Sequence, residues 1–207
     1  MLIALAVPIV RAARTGPFLL ACAAGWLLLA VPAALSTAID PDSLTLQLRL
    51  ATVCAAIGAV FVFDDPAKPT TLVVPGRAWL RTTLRVALAV VVAALWWMVA
   101  VAIVLVGAEE SIGDELRLAG TTLESATIIA VALVLGVTGY RLAERGVGST
   151  VAAPTVLVVV GALALLPRSI ALFVGVTDPR WSSVHGQWGV LLLTACLALM
   201  VGAGAQR

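Results

Sequence analysis

Six stretches of this chain are so continuously apolar that a soluble fold has no use for them. They run over residues 17–35, 44–63, 86–107, 118–139, 151–166 and 188–205. A helix that crosses a bilayer needs roughly 20 mostly apolar residues. A soluble domain is about half apolar and about a quarter charged, whereas this chain of 207 residues is 62% apolar and 12% charged. Six crossings consume nearly all of it. No room is left for a soluble catalytic domain of about 50 residues or more. The composition therefore excludes a soluble enzyme, a disordered regulator and a nucleic-acid binder. The expected fold is an all-α polytopic membrane protein with six transmembrane helices, one domain over residues 1–207.

The basic residues orient these spans. Lys and Arg concentrate in short loops on the cytoplasmic side. With the N-terminus inside, the cytoplasmic segments hold Arg11, Arg14, Lys68, Arg77, Arg81, Arg85, Arg141, Arg145 and Arg207, and the external loops hold Arg117, Arg168 and Arg180. Acidic residues gather outside, at Asp40 and Asp42 and again at Glu109, Glu110, Asp114 and Glu115. Both termini are expected in the cytoplasm. The apolar run at 2–10 is too short to cross, and Arg11 and Arg14 follow rather than precede it. That order suits a helix lying in the interface better than a signal peptide.

Much chemistry is excluded by absence from the sequence. The only lysine, Lys68, sits between Ala67 and Pro69, where a phosphate-binding loop would need Gly-Lys-Ser/Thr. The only histidine, His185, rules out most zinc sites. Ser182, Ser183, His185 and Asp178 share one external loop, but nearness in sequence is not a nucleophile–base geometry. Cys22, Cys54 and Cys196 lie in apolar runs and read as small buried hydrophobes. No cofactor, metal or catalytic residue is expected on this chain.

Three features remain. The cytoplasmic connection 63–85 opens with Asp64-Asp65-Pro66, which ends span two because proline disfavours helix at the residue before it. Pro69 and Pro75 follow, and then Gly76 to Arg85 reads as a short basic helix. Trp79 and Leu80 are its anchors, with Arg77, Arg81 and Arg85 four residues apart. Such a helix suits lipid phosphates or a cytoplasmic partner. The external connection 167–188 carries an apolar run at 169–176, too short to cross, with Trp181 and Trp188 as interfacial anchors. Finally, Arg49 and Glu124 fall within spans two and four, both entered from outside. At 1.5 Å rise per residue both lie about 8–9 Å below the outer boundary. An unpaired charge in a span is costly, so Arg49 and Glu124 are expected to form an ion pair or to lie on the substrate path; the alternative is that Arg49 snorkels outward while Glu124 faces a polar cavity or is protonated.

This layout resembles the membrane subunits of ABC exporters with the type V fold. They have an elbow helix before span one, a coupling helix between spans two and three, and short external re-entrant helices between spans five and six. Residues 1–16, 64–85 and 167–187 occupy those places here. The run Asp64-Asp65-Pro66-Ala67 with Thr70, Thr71 and Pro75 also looks like a loop of actinobacterial permeases of this kind. The usage of twelve Arg against one Lys suits a GC-rich genome. The resemblance implies a permease in the bacterial cell membrane that moves a hydrophobic, peptide or drug-like substrate. It implies two copies of a separate ATPase that carries the ATP and Mg, and a second permease, identical or related. Asp64, Asp65, Pro66, Arg77, Trp79 and Arg81 would then serve ATPase coupling. The alternative is an ATP-independent small carrier or membrane assembly factor, in which Glu124 is a proton or cation site.

Overall fold

The computed structural model describes residues 15–35, 40–65, 78–107, 116–143 and 147–204. Within them the chain forms α1 (Thr15–Leu35), α2 (Pro41–Val60), α3 (Ala78–Gly107), α4 (Leu118–Leu142), α5 (Ser149–Ala164) and α6 (Trp181–Gly204). A 3-10 turn, Phe61–Phe63, extends α2. There is no strand among the described residues. All but α5 are long and apolar enough to cross a membrane, so the protein is an all-α, multi-pass membrane protein. The 16 residues of α5 span about 24 Å, short of a hydrocarbon core of about 30 Å. The helix expected over 2–10 lies outside the described residues.

Burial shows which helices form the centre. In their most apolar windows α2 and α4 are each 56% buried, against 17% for α1, 28% for α3 and 22% for α6. α2 packs on α1 and α4, α4 also on α5 and α6, and α3 chiefly on α1. Small residues permit these approaches, as is usual where membrane helices touch. A Cβ added to Gly58 of α2 would lie 2.9 Å from Ala21 Cβ and 3.2 Å from the Phe18 carbonyl of α1. Two indoles join α1 to α3: Trp26 Nε1 donates to the Trp96 carbonyl at 3.3 Å, and Trp96 Nε1 to the Cys22 carbonyl at 3.1 Å.

The observed elements depart from the sequence expectation in three places. α2 begins at Pro41, not near residue 44, because Asp40 caps it by accepting from Ser43 N at 3.0 Å and Pro41 fits the first turn. The basic helix expected before span three is not separate: α3 is one helix from Ala78 to Gly107. The expected break falls at Arg85, but Arg85 is buried and paired, so its charge does not end the helix. The largest change is at 165–180. No helix forms over 169–176; the segment holds turns, such as Ile170 N to the Pro167 carbonyl at 2.9 Å, and otherwise irregular backbone. α6 starts seven residues before position 188, and Trp181 and Trp188 are both buried rather than set at a headgroup surface.

The α1–α2 contact gives a test. Gly58→Val should lower the thermal stability of the purified protein by about 1–3 kcal/mol, the usual cost of overpacking. Gly189→Ala, where an added Cβ meets nothing within 4 Å, should not lower the melting temperature, since Ala is the better residue inside a helix.

Candidate functional site

Two buried polar clusters stand out, one towards each end of the bundle. The first is centred on Glu124 of α4, whose side chain is completely buried. A carboxylate in such a place needs charged or hydrogen-bonding partners. Arg49 of α2 grips it with two bonds, Nε to Oε2 at 2.6 Å and Nη2 to Oε1 at 2.8 Å. This two-point geometry is the strong form of the arginine–carboxylate pair. The structure thus brings together the two charged residues that the sequence places within the spans. Arg49 Nη2 also donates to the Val174 carbonyl at 2.8 Å, and the Phe173 ring lies 5.3 Å from the guanidinium carbon.

Those contacts explain why 172–176 is not helical. Arg49 takes the Val174 carbonyl, Trp188 Nε1 donates to the Leu172 carbonyl at 3.0 Å, and Val176 N donates to Asp42 Oδ1 at 2.8 Å. Bundle side chains satisfy backbone groups that a helix would satisfy internally. A Cβ at Gly175 would lie 2.8 Å from Asp42 Oδ1, so a larger residue there would push on the carboxylate that accepts from Val176 N. One turn deeper, Thr52 Oγ1 gives its hydrogen to the Leu48 carbonyl at 2.7 Å, so it accepts from Ser125 Oγ at 3.0 Å.

The third member of this cluster is His185. It sits on α6, not in a loop, with Nε2 at 3.1 Å from Glu124 Oε1 and Nδ1 at 2.7 Å from the Trp181 carbonyl. Although Nε2 lies within ion-pair distance, it makes no hydrogen bond there; the approach is too far off line. Trp181 stacks on the imidazole at 4.0 Å between centroids, and Arg117 covers the Trp181 ring at 5.6 Å. In the sequence His185 lies close to Ser182, Ser183 and Asp178. The structure separates their roles: Ser183 Oγ donates to the Arg180 carbonyl, and Asp178 pairs with Arg180 at 2.9 Å. That side-chain bond holds the Asp178 carboxyl below the usual carboxylate range, so the contact is lost only as pH falls below it.

The second cluster closes the neck of the 64–85 loop. Asp64 is completely buried. Its Oδ1 accepts from Ser149 N at 3.0 Å and its Oδ2 from Ser149 Oγ at 2.6 Å, so it caps α5 from outside that helix. Asp65 accepts from Arg85 Nη2 at 2.7 Å, across the loop, and Arg85 lies over the Tyr140 ring at 5.6 Å. Both carboxylates expected to meet a partner are thus engaged within the chain. Trp79 is 43% exposed on the first turn of α3, and Arg81 follows on the same helix. Pro66 and Arg77 lie outside the described residues.

Between α3, α4 and α6 lies an apolar cleft of about 280 Å³. Val90, Trp97, Ile129, Leu192 and Leu199 line it, with Ser125 on its wall. Among the described residues no group of three or more His, Cys, Asp or Glu could hold a metal ion. No protein-family model, curated protein or solved structure matches this chain.

Asp64→Ala should remove both bonds to Ser149 and lower stability by about 1–2 kcal/mol, the upper range for a lost helix cap. Hydrogen exchange should show the loss first as faster exchange at the start of α5. Exchange that quickens evenly over all helices would show that Asp64 does not act on α5.

Proposed function

We propose that this chain is the transmembrane subunit of an ATP-driven exporter of the ABC type, working with a separate ATPase. The observation that carries the reading is the neck of the 64–85 loop. Asp65, where the chain leaves α2 for the loop, pairs with Arg85, which lies within α3 beyond the loop's far end, and neighbouring Asp64 holds the start of α5. The loop thus stands on a base tied to α2, α3 and α5. A force applied to it reaches three helices at once, as a coupling element requires. Arg77, Trp79 and Arg81 would meet the ATPase, and Asp64, Asp65 and Pro66 would hold the loop that presents them.

In this reading the loop and both termini face the cytoplasm, α5 is the fifth of six crossings, and 165–180 caps the bundle from outside. The composition of the cleft between α3, α4 and α6 suits a hydrophobic substrate or the acyl chain of a lipid-like one. Exposed apolar faces on α1, α3 and α6, such as those bearing Leu20, Leu95 and Leu193, suit lipid and a second permease. ATP hydrolysis would reside wholly on the partner chain, and this chain would take no part in the chemistry.

Two measurements on native membranes test the proposal. With the native cysteines replaced, a membrane-impermeant thiol reagent should label Ile112→Cys and not Val74→Cys in intact cells. Tagged protein should retain an ABC ATPase on purification, and Arg77→Glu with Arg81→Glu should reduce that recovery by about tenfold or more through charge reversal at the contact. Trp79→Ala should also weaken it. Reversed labelling, or no ATPase bound to the wild-type protein, would overturn the proposal and favour an ATP-independent carrier.

A further inference from the structure

α6 turns one face to the bundle and one away from it. Trp181, Val184, His185, Trp188, Ala195 and Leu199 are buried. On the opposite side Ser183, Gln187, Val190, Thr194, Leu197 and Val201 are exposed. Their spacing alternates between four residues and three. That is the repeat of a helix face that packs along a second helix in a left-handed pair.

Gln187 makes this more than a lipid-facing surface. A neighbour fixes its depth: the Trp188 carbonyl accepts from Thr127 Oγ1 at 3.3 Å. Thr127 lies nine residues beyond Leu118, the first residue of α4. That is about 13 Å along the helix, close to the middle of a hydrocarbon core of about 30 Å. Ser183 and Thr194 give their hydroxyl hydrogens to the Arg180 and Val190 carbonyls, at 2.9 and 2.8 Å. The Gln187 amide, with two hydrogens to donate and an oxygen to accept, bonds to no described residue. An unsatisfied amide in hydrocarbon is costly, and polar side chains so placed bond across helix interfaces.

We propose that this face of α6 is the contact between two copies of the chain, with Gln187 of one copy hydrogen-bonded to Gln187 of the other. Copies inserted in the same orientation pair about a two-fold axis along the membrane normal, so α6 runs parallel to α6 and each seam residue meets its own counterpart. An amide suits that symmetry because it donates and accepts at once, where a charged group would meet its like. In a helix pair a single polar residue at such a core position fixes the register. Beside it, a Cβ added to Gly186 would meet nothing within 4 Å, so the second helix has room to approach. Val190, Leu197 and Val201 supply the apolar contacts further along. This contact gives the second permease proposed above a place, but it rests on Gln187 and not on that reading, and its test involves no ATPase.

Single-molecule photobleaching of the full-length chain, labelled at its C-terminus and reconstituted in phosphatidylcholine vesicles, measures the pairing over a range of protein densities. Two-step bleaching should dominate at high density and give way to one-step bleaching on dilution. Gln187→Leu puts an apolar side chain on an exposed face and should leave the fold intact. It should lower the association constant by about three- to thirtyfold, the worth of one hydrogen bond between membrane helices, and Gln187→Asn should lose less. With the native cysteines replaced, Val190→Cys should give an oxidatively cross-linked dimer, whereas Leu95→Cys, on the exposed face of α3, should not. A chain that is monomeric at every density, whatever else it binds on this face, would overturn the proposal. So would a Gln187→Leu variant that pairs as the wild type does, or cross-linking at position 95 equal to that at position 190.

Discussion

A fully buried carboxylate in a membrane bundle has to be neutralised where it stands, and most of this architecture follows from how Glu124 is held. The cost of an isolated charge in low dielectric is many times that of any single packing contact. Arg49 meets it with two bonds and so fixes α2 against α4, the two most buried helices. The arginine then has a donor left for the Val174 carbonyl, which draws in a segment that could not cross the membrane and does not form a helix. Irregular backbone at this level is tolerated where the surrounding protein satisfies it. Asp42, Arg49 and Trp188 do so for residues 172–176.

The opposite end follows the same physical rule with different partners. Asp64 and Asp65 end α2, and each carboxylate is committed to another element, Ser149 at the start of α5 and Arg85 on α3. Between these two polar ends the contacts are apolar, from alanines and larger side chains such as Leu48, Ile128 and Leu133 with the Trp96 indole, and they set distance rather than direction. Direction is set by the charged groups, because arginine–carboxylate bonds are geometrically demanding where packing among Ala and Val is permissive.

Apolarity makes the span-forming helices legible in sequence, and residue counting from the span boundaries puts Arg49 and Glu124 at one depth. What local sequence does not carry is adjacency. Nothing near Arg49 says that α2 lies beside α4, and nothing near Val174 says that its carbonyl meets residue 49. The run at 169–176 is apolar enough to suggest a helix, but its hydrogen-bond partners lie elsewhere in the chain. Arg85 looks like a helix boundary if its charge is taken as solvated, whereas Asp65 buries it. His185 is hidden for a different reason. The polar residues Ser182, Ser183 and Gln187 mask a regular pattern: Trp181, Val184, His185 and Trp188 are spaced as i, i+3, i+4, i+7 and all are buried. That spacing is one face of a helix and is the signal that places the histidine in the bundle.

The central claim is that Arg49 and Glu124 act as one unit that holds α2, α4 and the 172–176 segment together. A double-mutant cycle on unfolding of the purified protein measures this directly. Arg49→Met alone leaves a buried carboxylate unpaired and should cost about 3–5 kcal/mol. Adding Glu124→Met removes the stranded charge, so the double variant should recover most of that loss. If the two substitutions instead lose stability additively, Arg49 and Glu124 are not a unit, and the bundle is held together by something other than this pair.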